Sequence, residues 1–563
     1  QGGRKPGRRP DKKKGGVWGK GIASPGRGAH GLCRGIRTNA AKSESFLRKA
    51  RNQGMGILDY GAVLLFLVVM VVIGLYSKNN VKSSEDFYVA GGKVPWWLSG
   101  ISHHVTGYSG VVFVGYAGIA YATGTAIYFW WAVNIAIAVA LGAVFMAPRW
   151  PRLRKALGIQ SPTEYLRMRY STATQVVVAI SGIVSKLIDV GAKWASIGIL
   201  VYGFTGVPIW IGILSSAVVS LIYMSIGGLI AAFAMAIADL WTDFAQWVVQ
   251  TVAGLTLFVG TILHLRSQFG MGLFEAFGNL PEGNLCIMNP GRGQGSVSWT
   301  LLYFIVVFLS YNGGTWSLAT RYISVDNAKD AKRSAMLSAA LYLVWPIIVF
   351  TPMWLGSIFV PGLTQAEASN TLYATLSKMF LPSGLLGLSL AAMYANTLSM
   401  CTSDCNTISA VLTRDILPIF KKDILTDDKK ELFTARATTI GFMLLTVVVG
   451  LMQDSFGGIA NMILSWFSAL LGPTAIPLLL GLLPAFKHCD AKAAILSTLG
   501  GFSVFVLNQA HVLPAFEADI SVILPTAVAF VVYVGIGLIN QYALKKPVPQ
   551  EIEDLMVHLG KDD

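Results

Sequence analysis

Thirteen apolar segments, each long enough to cross a lipid bilayer as a helix, constrain this chain more than any other feature of its sequence. The chain has 563 residues, of which 54% are hydrophobic and only 13% are charged, and this balance excludes a soluble globular protein of such a size. We therefore predict an all-α polytopic membrane protein with about 13 transmembrane helices. The predicted spans are 57–77, 96–121, 125–148, 173–203, 207–226, 240–264, 297–320, 334–359, 383–413, 437–453, 457–484, 493–512 and 519–541.

The loops between these spans carry their positive charge almost entirely on one side. With the N-terminus of the first span outside, the cytoplasmic segments hold 24 Lys and Arg residues, whereas the outward loops hold only Arg266, Arg292 and Lys378. The positive-inside rule then predicts an integral protein of the plasma (inner) membrane, with its N-terminus outside and its C-terminus in the cytoplasm. The cytoplasmic segments are 78–95, 149–172, 227–239, 321–333, 414–436, 485–492 and the C-terminal tail, which includes Lys545 and the charged residues 546–563.

The basic character of the sequence is concentrated in residues 1–54, which carry 13 of the 15 net positive charges. This stretch is rich in Gly, Arg, Lys and Pro, so we predict that it is disordered. Met55 then opens a sequence typical of a membrane protein. We interpret 1–54 as a non-native stretch upstream of the true start, with a genuine basic extension as the alternative. The body, 55–545, is predicted to be one membrane domain that does not bind nucleic acid.

Two spans carry helix-weakening residues at their centres. The second span, 96–121, contains Gly, Tyr, Ser and Gly at 107–110, and the seventh contains a Gly pair within 311–316. A break at membrane depth leaves carbonyls without partners, which is tolerated where they line a cavity, as in secondary transporters. Unbroken helices with close-packing glycines are the alternative. Because the two segments lie five spans apart, we predict a five-plus-five inverted repeat with discontinuous helices, its halves at about 96–264 and 297–484.

The ninth span, 383–413, carries a stripe of polar side chains along one helical face. Amide and hydroxyl side chains recur there at intervals of three and four residues, and a carboxylate accompanies them. Oxygen atoms of this kind are the ligands of hard cations, although hydrogen bonding between helices is the alternative. The residues of the stripe are Asn396, Ser399, Thr402, Ser403 and Asn406, with Asp404 beside them.

Charged residues also occur at membrane depth elsewhere. In the fourth span, Lys186 and Asp189 are three residues apart and Asp189 and Lys193 four, so they can pair along one face. Charges in such places indicate either function or a structural ion pair. Asp243, near the start of the sixth span, is either a helix N-cap or the anionic ligand of a cation site.

Four motifs follow one another along the chain in a fixed order. They are DFYVAGGKVPWW at 86–97, SPTEYLRMRY at 161–170, Gly227-Gly228 before Thr242-Asp243-x-x-Gln246, and Leu471-Gly472-Pro473-Thr474. With these motifs on its thirteen spans, the sequence resembles the sodium:solute symporter family, which includes sodium/glucose, sodium/proline and sodium/sialic acid symporters. The likeness runs from Met55 to about Asn540. It implies a LeuT-type fold and a secondary active transporter, not an enzyme, that imports a small polar organic solute with sodium by alternating access.

The resemblance also implies where sodium binds. One sodium would lie between the break in the second span and the ninth span, held by the backbone carbonyls of Val105 and Tyr108 and by Asn396, Ser399 and Met400. Met400 replaces the hydroxyl that is usual in the family, so its ligand atom would be a backbone oxygen or would be absent. Some members bind a second sodium, and the matching positions are Asp243, Thr402 and Ser403.

The substrate positions implied by the resemblance depart from those of the sugar transporters. The Asn, Glu and Gln of those members are matched here by Gly107, Trp131 and Ser468, so glucose is not implied. A sugar, a sugar acid, an amino acid or a carboxylate all stay open. Tyr311 aligns with an aromatic residue that closes over the substrate from the inside. The candidate substrate contacts are His103, Thr106, Tyr108, Trp131, Asn134, Tyr311, Asn312, Trp316 and Ser468.

Two other functions fit the same sequence. A proton-coupled symporter of the same fold is one, because His103 and His104 lie in the broken span and imidazole titrates near neutral pH. A sensor or channel that binds sodium and solute without accumulating the solute is the other. In each case we expect a protein of the lipid bilayer that functions as a monomer.

Overall fold

The computed structural model describes most of the chain from Gly54 to Gly560. The predicted extension, apart from Gly54, and the candidate substrate residue Ser468 lie outside the described residues. Within them the chain is helical, and the one β contact is a bridge between Val94 and Val325. The described ranges are 54–77, 88–230, 235–291, 293–421, 428–456, 458–459, 462–463, 471–510, 512–514 and 517–560.

The helices of eight or more residues are numbered here in chain order. They are α1 Ile57–Ser77, α2 Trp96–Thr106, α3 Gly110–Thr123, α4 Asn134–Phe145, α5 Arg149–Leu157, α6 Thr172–Thr205, α7 Ile209–Ile230, α8 Met235–His264, α9 Val297–Leu309, α10 Trp316–Ile323, α11 Ala328–Trp354, α12 Gln365–Phe380, α13 Leu385–Ala410, α14 Asp428–Leu451, α15 Ala491–Gln509, α16 Ala518–Leu538 and α17 Gln550–Gly560.

Membrane-spanning helices dominate the described part of the chain. Nine of them are long and apolar enough to cross a bilayer, and the bent pair α2 and α3 makes a tenth. Two further predicted spans correspond to shorter apolar helices, Ile57–Val69 within α1 and Ile209–Leu221 within α7. The predicted span 457–484 is described only in part, because 457, 460–461 and 464–470 lie outside the described residues. The all-α membrane class is therefore confirmed, whereas the count of thirteen helices stays a prediction.

The predicted break in the second span is confirmed. Helices α2 and α3 meet at an angle of 53°. The chain leaves the helix because the backbone of Ser109 is extended, with φ −70° and ψ 174°. Gly107 is required beside this break, since a Cβ atom on it would lie 1.8 Å from the Oη atom of Tyr342. The chain between Thr106 and Gly110 is therefore non-helical, and it lies inside the protein.

The second predicted interruption is confirmed as well. Between α9 and α10 the chain forms a wide π-helical turn over Ser310–Gly314. Gly313 has a φ of 127°, in a region that side chains disfavour, and a Cβ atom there would lie 2.5 Å from the Trp150 ring. The indole Nε1 of Trp150 donates a hydrogen bond to the carbonyl of Asn312 at 3.1 Å, which satisfies one of the freed oxygens.

Helix α13 lies at the centre of the bundle. It packs against α1, α6, α8, α10 and α14, and it is buried over most of its length. Helix α2, which precedes the first break, packs against α8, α10 and α11. Because α13 faces protein on all these sides, its polar stripe lies inside the bundle and not against lipid.

The segment predicted as a charged tail contains a short helix that docks on the bundle. Helix α17 packs against α5, where Nη1 of Arg152 donates to the carbonyl of Leu559 at 2.8 Å. Its apolar face, which includes Leu555 and Leu559, is buried. The end of the described chain is therefore an ordered part of the fold.

Candidate sodium and solute site

The break after α2 touches α13 at the first predicted sodium site. The Nδ2 atom of Asn396 donates to the carbonyl of Tyr108 at 2.5 Å, and the amide of Tyr108 donates to the carbonyl of Val105 at 2.8 Å. The Oδ1 atom of Asn396 is buried and has no hydrogen-bond partner among the described residues. Leaving such an oxygen unsatisfied costs about 1–3 kcal/mol, and a cation would remove that cost.

Asp243 gathers hydroxyl and guanidinium groups from three other helices. Its carboxylate accepts from Ser102 of α2 at 2.5 Å, from Ser399 of α13 at 3.1 Å and from Nη2 of Arg321 of α10 at 3.2 Å. Helix α8 begins at Met235, earlier than the predicted 240, so Asp243 lies more than two turns inside the helix. The N-cap interpretation of Asp243 is therefore wrong.

Arg321 lies in the predicted second sodium site. Its Nη2 atom is 3.3 Å from the hydroxyl of Ser403 and 3.4 Å from that of Thr106, in addition to its bond to Asp243. The side chain of Thr402 donates instead to the carbonyl of Ser399 at 2.9 Å. The seventh span was predicted to end at 320, with Arg321 in the following loop, whereas α10 extends to Ile323 and Arg321 is buried.

A cavity lies between the two breaks and α6. The volume open to the centres of water-sized spheres is about 60 Å³. Three candidate substrate residues line it, namely Thr106, Trp131 and Tyr311, together with Met400 of the predicted sodium site. Other polar residues that line the cavity were not among the predicted substrate contacts, namely Ser109, Asp189, Lys193, Ser310, Thr315 and Ser317.

His103 does not line this cavity and is bonded within the protein. Its Nδ1 atom lies 2.8 Å from the hydroxyl of Ser338, and its Nε2 atom lies 3.1 Å from the carbonyl of Tyr311. Because a carbonyl can only accept, Nε2 carries the hydrogen and Nδ1 accepts from the serine. The imidazole thus links the first break to the second.

The other candidate substrate residues also lie away from the cavity lining. The Nδ2 atom of Asn134 donates to Thr300 at 2.8 Å, and that of Asn312 donates to Phe308 at 2.8 Å. The ring of Trp316 packs over Gly182, where a Cβ atom would come within 2.1 Å of it. The ring of Tyr108 packs against His104, Trp131 and Tyr342.

Two lysines and two aspartates form a buried ionic quartet beside the cavity, defined here as Lys186, Asp189, Lys193 and Asp404. The predicted pairing along α6 is confirmed, since Oδ2 of Asp189 lies 2.6 Å from Nζ of Lys186 and 3.1 Å from Nζ of Lys193. Asp404 of α13 bonds to both lysines, at 2.8 Å to Lys186 and closer still to Lys193. Sequence spacing within α6 could not reveal this partner, because it lies 211 residues away from Lys193.

Two interrupted helices that meet an oxygen-lined helix inside a membrane bundle define a cation-coupled secondary transporter. The chain belongs to the sodium:solute symporter family, whose model matches residues 87–501. It is therefore an integral membrane protein that couples sodium to the transport of a small polar solute, and it is not an enzyme.

Relatives and a solved structure agree with this assignment. The chain is 24% identical over 470 residues to the sodium/sialic acid symporter NanT of Aliivibrio fischeri. This alignment covers 80% of this chain and 87% of the relative. It is 24% identical over 512 residues to the sodium/glucose cotransporter of Vibrio parahaemolyticus, covering 84% and 90%. A solved sodium-coupled sialic acid symporter in a substrate-bound outward-open state has the same fold, with a TM-score of 0.72 at 18% identity, over 88% of this chain and 99% of that one.

Proposed function

We propose that the protein imports a small polar organic solute by alternating access and that sodium binds where α2 ends against α13. The carboxamide of Asn396 is the observation that carries this proposal. Its nitrogen holds the carbonyl of Tyr108, and its oxygen is buried without a partner among the described residues. A cation beside the break would satisfy that oxygen and fix the break against α13.

The proposed ligands are neutral oxygens from both elements. They are the carbonyls of Val105 and Tyr108, the amide oxygen of Asn396, the hydroxyl of Ser399 and the backbone carbonyl of Met400. The hydroxyl of Ser399 donates a hydrogen bond to Asp243, so the lone pairs of its oxygen remain available to a cation. The negative charge of Asp243 thereby stabilises the cation through the hydroxyl.

We propose that one sodium binds and not two. The positions of the second site, Asp243, Thr402 and Ser403, are chemically suitable for a cation. However, the guanidinium of Arg321 already contacts the carboxylate of Asp243 and the hydroxyl of Ser403. The fixed positive charge of this guanidinium repels a second cation, and it already neutralises the carboxylate that such a cation would bind.

The solute would bind in the cavity between the breaks, against Thr106, Trp131 and Tyr311. A sugar acid is one candidate class, because the relative from Aliivibrio fischeri is named for sialic acid. Glucose is less well supported, because the positions that match the sugar-binding residues include Gly107 and Trp131. Amino acids and other carboxylates complete the proposed range.

The direction of transport follows from the membrane potential and the proposed topology, in which the N-terminus lies outside and the C-terminus in the cytoplasm. One sodium moving inward gains about 2.3 kcal/mol per 100 mV, which is enough to accumulate solute well over tenfold. Linkage requires that sodium and solute raise each other's affinity. We propose that one copy of the chain in a lipid bilayer carries out the whole cycle.

Purified protein in proteoliposomes tests this function. Thermal stabilisation by sugars, sialic acids, amino acids and carboxylates, with and without sodium, identifies the solute, and counterflow of that labelled solute then tests transport. We expect a solute that stabilises the protein only with sodium and that exchanges across the membrane. Binding without counterflow would instead identify a sensor.

A further inference from the structure

Only two of the four residues of the ionic quartet line the cavity. Asp404 uses both of its oxygens, one for each lysine, and neither it nor Lys186 lines the cavity. Asp189 and Lys193 do line the cavity. The quartet therefore offers the solute one ammonium and one carboxylate, four residues apart on α6.

The ammonium of Lys193 retains a donor that the quartet does not use. An ammonium has three N–H groups. Among the described residues, Nζ of Lys193 bonds only to Asp189 and Asp404, so two of the three are used. The third is left for the cavity that Lys193 lines, where a charge-assisted hydrogen bond to an anion would be stronger than one between neutral groups.

The lining of the cavity supplies a second polar atom in need of a partner. The hydroxyl of Ser317 is buried and has no hydrogen-bond partner among the described residues, and Ser317 lines the same cavity as Lys193. An acceptor with two oxygens, such as a carboxylate, can take a hydrogen bond from each of these side chains.

The rest of the lining limits the size and charge of the solute. The volume open to the centres of water-sized spheres is only about 60 Å³, so a small solute fits this conformation better than a large one. Val111, Val112 and Leu318 provide apolar surface for a short carbon chain. The carboxylate of Asp189 beside Lys193 repels a dianion more strongly than a monoanion.

We infer that the transported solute is a small organic monocarboxylate, whose carboxylate accepts hydrogen bonds from Lys193 and Ser317. This inference rests on the proposed function, since it names the solute class of the same site. A solute that also carries an ammonium group would place it on Asp189, so simple and amino-substituted carboxylates share the recognition of the carboxylate.

Wild-type protein gives the first test, with lactate compared with lactamide, in which a neutral amide replaces the carboxylate. We expect sodium-dependent stabilisation and uptake with lactate or with alanine, and none with lactamide. Preference for alanine over lactate would identify the solute as an amino acid. Preference for lactate over alanine would identify it as a carboxylate without an amino group. If lactamide or glucose binds with sodium at least as tightly as both carboxylates, the inference is overturned while the proposed function stands. If no solute shows sodium-dependent uptake, the proposed function itself fails.

Two charge-balanced double variants form a matched pair for the role of Lys193. Lys193→Gln with Asp404→Asn and Lys186→Gln with Asp404→Asn each leave one lysine paired with Asp189. Only the second keeps the ammonium that lines the cavity. We expect the first to weaken binding of the carboxylate by roughly 10- to 100-fold and the second by only a few-fold. Equal losses in the two variants would overturn the assignment of Lys193, and a double variant that fails to fold is replaced by Lys193→Arg against Lys186→Arg.

Discussion

Ser399 of α13 donates a hydrogen bond to Asp243 of α8 at 3.1 Å, and this contact joins the two predicted ion sites into one network. Ser399 was predicted in the first sodium site and Asp243 in the second. In the proposed sodium site, the negative charge of Asp243 would therefore act on the cation through the hydroxyl of Ser399. Predictions about either residue therefore concern sodium binding and the packing of α8 on α13 together.

Replacing Ser399 with Ala should abolish sodium-dependent uptake. The substitution removes a proposed ligand and the hydroxyl that connects the cation to Asp243. Initial uptake rates in proteoliposomes, measured over a range of sodium concentrations, provide the readout. Ser409→Ala is the control, because that hydroxyl lies on the same helix but donates to Ala435 at 2.7 Å. If Ser399→Ala transports as the wild type does, the proposed sodium site is wrong.

Replacing Asp243 with Asn should destabilise the protein more than it changes the number of sodium ions. The variant leaves Arg321 as a buried charge without its carboxylate, at a cost of about 3–5 kcal/mol. Thermal unfolding in detergent measures this loss, and the double variant Asp243→Asn with Arg321→Gln should recover part of it. With one sodium per cycle, wild-type uptake should rise hyperbolically with sodium concentration. A sigmoidal dependence that Asp243→Asn makes hyperbolic would restore the second sodium.

Replacing Gly107 with Ala should impair both folding and transport. The added Cβ atom would lie 1.8 Å from the hydroxyl oxygen of Tyr342, so the tyrosine or the break must move, at a cost of about 1–3 kcal/mol. Adding Tyr342→Phe removes that oxygen and should recover part of the lost stability in thermal unfolding. Gly61→Ala serves as the control, since nothing lies within 4 Å of a Cβ atom there. Wild-type stability in the single Gly107 variant would show that the break has more room than the structure indicates.

A proton gradient alone should not drive uptake. Both ring nitrogens of His103 are hydrogen-bonded, and neither His103 nor His104 lines the cavity. A proton carried by His103 would have to displace one of these bonds. Uptake driven by an inward pH gradient in sodium-free proteoliposomes, compared with uptake driven by a sodium gradient at constant pH, decides the point. Accumulation in the first condition would favour the proton-coupled alternative.

The sequence was sufficient to predict the features that depend on local chemistry. The glycines at 107 and 313 weaken a helix wherever they occur, so both breaks were predictable from composition along the chain. The pairing of Lys186, Asp189 and Lys193 followed from helical spacing alone.

The features that were missed depend on long-range packing. Charge counting assigned Arg321 to a loop, because no local signal shows that α10 carries it to Asp243, 78 residues earlier. The start of α8 was predicted at 240 instead of Met235, which left an N-cap as one of two interpretations of Asp243, a residue that lies well inside the helix. The cavity lining at Ser317 and Lys193 required the contact of α6 with the second break.

Asn396 and Asp404 belong to the same unbroken helix, eight residues and therefore about 12 Å apart along its axis. The first meets the proposed cation, and the second holds the lysine that faces the solute. A translation or rotation of α13 must then displace both contacts by related amounts, with no intermediate joint to absorb the motion. The stoichiometric linkage between ion and solute can accordingly reside in the rigidity of this one helix.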